Sequence, residues 1–158
     1  MPSFHSLLRK VIKMTGLTEQ ASAFKVVSTI AAQTLTGTDV NGSGVDTQGF
    51  GSLWISANIG ANGGTLDGSN NLVLKLEHSD DDSTYTAVTD IGEAGGYTVD
   101  ASTGAFATID AGGEAASTYK VAYTGIKRYV RIVADVTGTI SLPVSVVALL
   151  SDGLKPQA

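Results

Sequence analysis

The chain has 158 residues, a net charge of −5 at pH 7 and no cysteine. That length suits one domain and is too short for a barrel enzyme of about 250 residues or for two full domains. The lack of thiols excludes disulfides, thiolate zinc sites and cysteine nucleophiles, and the acidic balance argues against phosphate-backbone binding, which needs clustered Lys and Arg.

Residues 4–14 read FHSLLRKVIKM. Phe4, Leu7, Leu8, Val11 and Ile12 follow the i, i+3, i+4, i+7, i+8 spacing of one helix face, and Arg9, Lys10 and Lys13 lie off that stripe. Ser3 serves as N-cap and Gly16 as stop. The spacing predicts a short basic amphipathic helix in an arm of residues 1–20. The arm is joined to a body, residues 21–158, with seven basic and fourteen acidic side chains. Lys13, Thr15, Thr18, Glu19 and Gln20 interrupt the apolar stretch, so no signal peptide is expected. No run of 18 apolar residues occurs that would span a membrane as a helix.

The body reads as strands and turns. Residues 24–35 form a first strand, followed by a polar loop over 36–44. Leu53, Ile55, Ala57 and Ile59 alternate with Trp54, Ser56 and Asn58, and a glycine- and asparagine-rich loop covers 60–71. Leu72, Leu74 and Leu76 alternate with Val73, Lys75 and Glu77, the pattern of a half-buried strand. Asp80, Asp81, Asp82 and Ser83 turn that strand into residues 85–88 as a hairpin. Short strands are expected at 97–100, 105–109 and 118–123, then clearer ones at 129–136 and 140–150. Pro143 cannot donate a ladder hydrogen bond, which puts the last strand at a sheet edge or bends it there. About eight short strands separated by turn signals predict an all-β fold: a single β-sandwich or jelly-roll-like domain carrying the N-terminal helix.

The residues offer little for catalysis. His5 lies on the helix, and His78 ends a strand as a half-exposed histidine without a partner triad, since no G-x-S-x-G elbow occurs. Asp80, Asp81 and Asp82 are hard oxygen ligands of the kind calcium takes, but they lack the alternate-position acids of an EF-hand loop and read as a solvated turn. The glycines complete no phosphate-binding motif. Trp54 with Tyr119, Tyr123 and Tyr129 is the one candidate aromatic platform for a sugar, against core or interface packing. The expectation is a non-enzymatic protein with no cofactor and no metal site. The basic helix covers an open end of the sheets, docks on a partner as a helix in a groove, or lies on a membrane, the last being weakly supported by three charges.

Three stretches carry a resemblance. Residues 45–53, VDTQGFGSL, are similar to a "VDTxGYGS" strand entry; residues 74–85, LKLEHSDDDSTY, to a "KLQESDDGSTW" hairpin; and residues 123–132, YTGIKRYVRI, to "GYRGxKRYVRL". Together, over roughly residues 45–150, they resemble small β-sandwich structural proteins of tailed bacteriophages, a group that includes capsid decoration, or cement, proteins. Asp82 departs from the pattern where glycine is common, which makes that turn less permissive. The resemblance implies a virion protein on the outer capsid surface. Its implied partners are the major capsid protein and copies of itself, as a homotrimer, with no direct nucleic-acid or membrane contact. The Leu/Val-rich last strand and the aromatics of residues 119–129 are candidates for the self-contact. Phe4, Leu7, Leu8, Val11 and Ile12 become the apolar anchors on the shell, and Arg9, Lys10 and Lys13 the steering charges. A tail or baseplate component and a carbohydrate-binding module are the alternatives.

Overall fold

A computed structural model describes residues 24–151. The expected helix, with Phe4, Leu7, Leu8, Arg9, Lys10, Val11, Ile12 and Lys13, lies outside the described residues. Within them the chain forms strands β1 (Lys25–Leu35), β2 (Val40–Asn41), β3 (Val45–Asp46), β4 (Ser52–Ile59), β5 (Asn71–Ser79), β6 (Thr86–Ala87), β7 (Ala105–Ile109), β8 (Thr118–Tyr123), β9 (Tyr129–Thr137) and β10 (Leu142–Ser151). Among the described residues one 3-10 turn, Gly112–Glu114, precedes β8.

The period-two alternation places the strands. In β4, Leu53, Ile55, Ala57 and Ile59 are buried while Trp54 and Asn58 face out. In β5, Leu72, Leu74 and Leu76 are fully buried, and Ile132 of β9 and Leu150 of β10 join them in one apolar cluster. Each such side chain contributes about 1.5–3 kcal/mol when taken from water. The cluster draws on two antiparallel sheets, as an all-β sandwich requires. The first sheet has the order β1-β10-β4-β8; the second has β2-β9-β5-β6, with β3 also on β9 and β7 also on β5. The amide of Ser43 donates to Thr29 O of β1 (2.9 Å) and that of Gly42 to Ile132 O of β9 (2.8 Å), which stitches the two sheets together along one side.

The expected hairpin is present, with Glu77 opposite Ala87 and His78 opposite Thr86. Three expectations change. Residues 97–100 form no strand: Tyr97 and Val99 pack on the core from a loop, and Asp100 Oδ1 caps a turn by accepting the Ser102 and Thr103 amides. The loop 36–44 contains β2, whose two residues are too few to leave a pattern. Finally, β10 is no edge strand. It lies between β1 and β4, and Pro143 is tolerated because it is the second residue of β10, before the pairing with β4 starts at Val144. The carbonyl of Pro143 still accepts the Gly60 amide at 2.7 Å.

Candidate functional site

The two outer faces of the sheets differ in chemistry. On the second sheet, charge is paired across strands. Lys75 of β5 meets Asp135 of β9, and Arg131 Nε reaches Glu77 Oε2 at 2.8 Å. The Arg131 guanidinium also stacks 4.0 Å over the Tyr85 ring. Near the same end, Arg128 grips Asp46 with Nε on Oδ1 (2.9 Å) and Nη2 on Oδ2 (2.7 Å) and lies over the Tyr129 ring. That contact, helped by the Gln48 amide, holds the Asp46 carboxyl down to about 2. Beside the Lys75–Asp135 pair runs an open groove of about 820 Å³, lined by Val73, Val99, Asp100 and Phe106. Lys75 and Asp135 neutralise each other there, which leaves Asp100, held by the Ser102 and Thr103 amides, as a carboxylate in the lining with no cation partner among the described residues.

The first sheet is the opposite. Register carries one row of side chains across all four strands: Val26 of β1 faces Leu149 of β10, Leu149 faces Trp54 of β4, and Trp54 faces Ala122 of β8. Val26 is 62% exposed and Trp54 39%. Val147, opposite Ser28 and Ser56, extends the patch by one step along β10. The outward positions of β10, β4 and β8 include a single charged side chain, Lys120; the rest are apolar, serine, threonine or asparagine. Val26 and Trp54 are the exposed members of this apolar row, and Ala122, Val147 and Leu149 are partly buried between them.

At one end of the sheets a buried polar knot replaces the expected half-exposed histidine. His78 is only 6% exposed, because Tyr123 from the other sheet covers it. The Tyr123 hydroxyl lies 3.0 Å from His78 Nδ1 and accepts the Lys127 amide at 3.1 Å. Burial pushes the His78 pKa down and the Tyr123 hydroxyl up. Gly125 lies against the Tyr123 ring, where a Cβ would come within 2.5 Å of the hydroxyl, so the loop between β8 and β9 is moulded on that tyrosine.

The three aspartates of the hairpin tip diverge. Asp81 Oδ1 accepts the Ser83 and Thr84 amides (3.0 and 2.8 Å) and the Ser79 hydroxyl (2.9 Å), bonds that hold its carboxyl well below the usual range. Asp82 accepts the Tyr85 hydroxyl, and Asp80 lies 3.8 Å from Lys127 Nζ. Among the described residues no group of three or more His, Asp or Glu is placed to hold a metal ion.

The aromatic platform does not form. Trp54 faces out from the first sheet; Tyr123 is buried; Tyr119 turns inward and donates to Glu114 O at 2.8 Å; Tyr129 belongs to the second sheet. The last strand is equally unsuited as a whole to self-contact, because Leu142, Val144, Val146, Ala148 and Leu150 are core; only Val147 and Leu149 face out. The apolar row was absent from the sequence reading. Its one signal was the unbroken apolar run Val146–Leu150, which a strand shows when both of its faces are covered.

No family model matches the chain, and no curated protein matches it. A solved structure described as "Bacillus endospore appendages form a novel family of disulfide-linked pili" matches with 13% identity over 89% of this chain and 100% of that chain, at a TM-score of 0.39. A likeness that low carries no argument about what this chain does.

Proposed function

We propose that the chain is a jelly-roll structural protein of a phage virion, a capsid decoration protein that binds the major capsid lattice from outside and acts without catalysis. Counting β2 with β3 and β6 with β7 as single strands leaves eight strands, numbered s1 to s8. Their pairs s1–s8, s2–s7, s3–s6 and s4–s5 are those of one long hairpin rolled up, and s8–s3 and s7–s4 close the two sheets. That is the jelly-roll pattern. Fold alone names no function. The reading is carried by the Val26–Leu149–Trp54–Ala122 row, an open and nearly charge-free face on a domain whose other outer face is closed by its own ion pairs. It agrees with the virion resemblance of residues 45–53, 74–85 and 123–132.

A decoration protein works by binding energy. Each copy favours the assembled lattice over its free subunits through its affinity for the assembly. The outer row and the arm residues Phe4, Leu7, Leu8, Val11 and Ile12 supply apolar contact, Arg9, Lys10 and Lys13 steer, and a homotrimer lets each copy touch several capsid subunits.

The test is to mix purified protein with phage heads lacking it and to sediment them. Saturable co-sedimentation, together with a rise in the temperature at which the heads release DNA, is the expected result. Binding to tails and not heads would move the protein to the tail or baseplate. The exposed Trp54 favours one other reading, a carbohydrate module; a glycan array with Trp54→Ala as control decides it.

A further inference from the structure

Where β8 gives way to β9, three loops meet and each is tied down. In the connecting loop, residues 124–128, the Thr124 amide and hydroxyl donate to Glu93 O (2.7 Å) and Gly92 O (2.5 Å), Gly125 lies against the Tyr123 ring, and the Lys127 amide donates to the Tyr123 hydroxyl. Lys127 Nζ reaches Thr86 Oγ1 (3.4 Å) and Asp80 (3.8 Å) on the hairpin, and Arg128 is taken by Asp46. The loop of residues 90–96 is pinned by Ala94, which is fully buried, and by the Gly96 amide on Ile91 O at 2.8 Å. Two large apolar side chains stand out from these fixed points: Ile126 is 98% exposed and Ile91 55%. One exposed apolar side chain is ordinary on any surface. Among the described residues, however, the exposed large apolar side chains are Val26, Trp54, Ile91 and Ile126. The first two belong to the row, and the other two occupy loops that hydrogen-bond to each other. Gly95 of the 90–96 loop abuts the Ala122 side chain, so the isoleucine end borders the row at β8.

Charge at this end selects the partner. The three loops carry Asp80, Asp81, Asp82, Asp90 and Glu93 against Lys127 and Arg128, and Arg128 is already paired. A second copy presenting the same end would meet like charge, and so would an anionic lipid surface. We infer that Ile126, with Ile91 on the adjoining loop, is a preformed plug for an apolar socket rimmed by basic side chains on a partner protein. That partner is the capsid lattice, an assignment that rests on the virion reading. A loop already held in one conformation has little freedom left to lose on binding, and a β-branched side chain has few rotamers to give up. The outer face of the first sheet stays open, and the contact extends from it around the β8 border onto this end.

Phage heads lacking the protein are titrated with the full chain, Ile126→Ser, Ile91→Ser and Ile126→Leu, and bound protein is measured by co-sedimentation at about 0.05 and 0.5 M salt. Thermal melting checks that each variant keeps the parent's fold, as expected for a side chain that meets only water. Ile126→Ser is expected to weaken binding about tenfold or more, Ile91→Ser less, and Ile126→Leu is expected to bind nearly as the parent does. The parent should bind more weakly at the higher salt, since its acidic rim meets a basic one. Equal binding of Ile126→Ser and the parent overturns the plug and leaves the capsid reading standing. A parent that binds no heads overturns the capsid reading and the plug with it. Binding that does not fall with salt overturns the basic socket. Self-association of the parent that Ile126→Ser abolishes in sedimentation velocity also overturns the assignment, by placing the socket on a second copy.

Discussion

His78 and Tyr123 meet edge to face across the two sheets, with Nδ1 3.0 Å from the hydroxyl and the ring planes 86° apart. The hydroxyl accepts the Lys127 amide and also shares a hydrogen bond with His78 Nδ1, so it joins the loop after β8 to the second sheet. Burial is the largest cause that lowers the His78 pKa; Lys127 lowers it further, and Glu93 and Asp80 oppose.

A base held neutral by folding takes up protons more readily when unfolded, so stability rises with pH through its titration. Stability from His78 is therefore complete above the unfolded value near 6.5 and is lost as pH falls below it. The melting temperature is expected to drop between pH 7 and pH 5. His78→Gln should melt lower at pH 7 but lose most of that slope, as calorimetry at a series of pH values would measure.

Removing the hydroxyl leaves two groups unmatched. In Tyr123→Phe the Lys127 amide and His78 Nδ1 both lose their partner while the ring stays in the core. The expected cost is about 1–3 kcal/mol in urea unfolding. Hydrogen exchange at the Lys127 amide should quicken more than at Val121 in the strand.

Backbone conformation gives a pair of opposite outcomes. Ala116 is exposed with φ 52°, and Asp82 has φ 59°. Left-handed backbone costs a non-glycine residue about 1–2 kcal/mol. Ala116→Gly should therefore stabilise the fold by up to about 1 kcal/mol after the entropy glycine adds to the unfolded chain. Asp82→Asn should be near neutral, since asparagine tolerates this conformation and keeps an acceptor for Tyr85, whereas Asp82→Val should destabilise. A melting temperature for Ala116→Gly below the parent's would refute the backbone argument.

Gly138, at φ 69°, turns β9 toward β10, and a Cβ there would overlap the Ser69 carbonyl and the Asn70 side chain. Gly138→Ala should cost more than about 2 kcal/mol, since it adds left-handed strain to a clash with backbone. Gly112→Ala, with open space around it, is the control expected to change little.

The strands were legible where one face alone is buried. Leu53 to Ile59 and Leu72 to Leu76 alternate so regularly that burial follows from position. β2 and β3 hold two residues each and left no period to read. Pro143 misled because a missing amide matters only where a partner strand needs it, and that depends on where the β4 ladder begins. The sequence presents His78 as half-exposed because its cover, Tyr123, lies 45 residues away on the other sheet. The apolar row was hidden for the same reason: Val26, Trp54, Ala122 and Leu149 become neighbours only once register is known.

Because β1 and β10 are antiparallel partners, with Lys25 opposite Leu150, the first and last strands open and close side by side. A short bridge between them would leave every ladder intact, and new termini cut at the exposed Asp82–Ser83 turn would emerge at the far tip of the rolled hairpin. The topology thus lends itself to circular permutation, and cargo genetically fused ahead of β1 or behind β10 would project in one common direction.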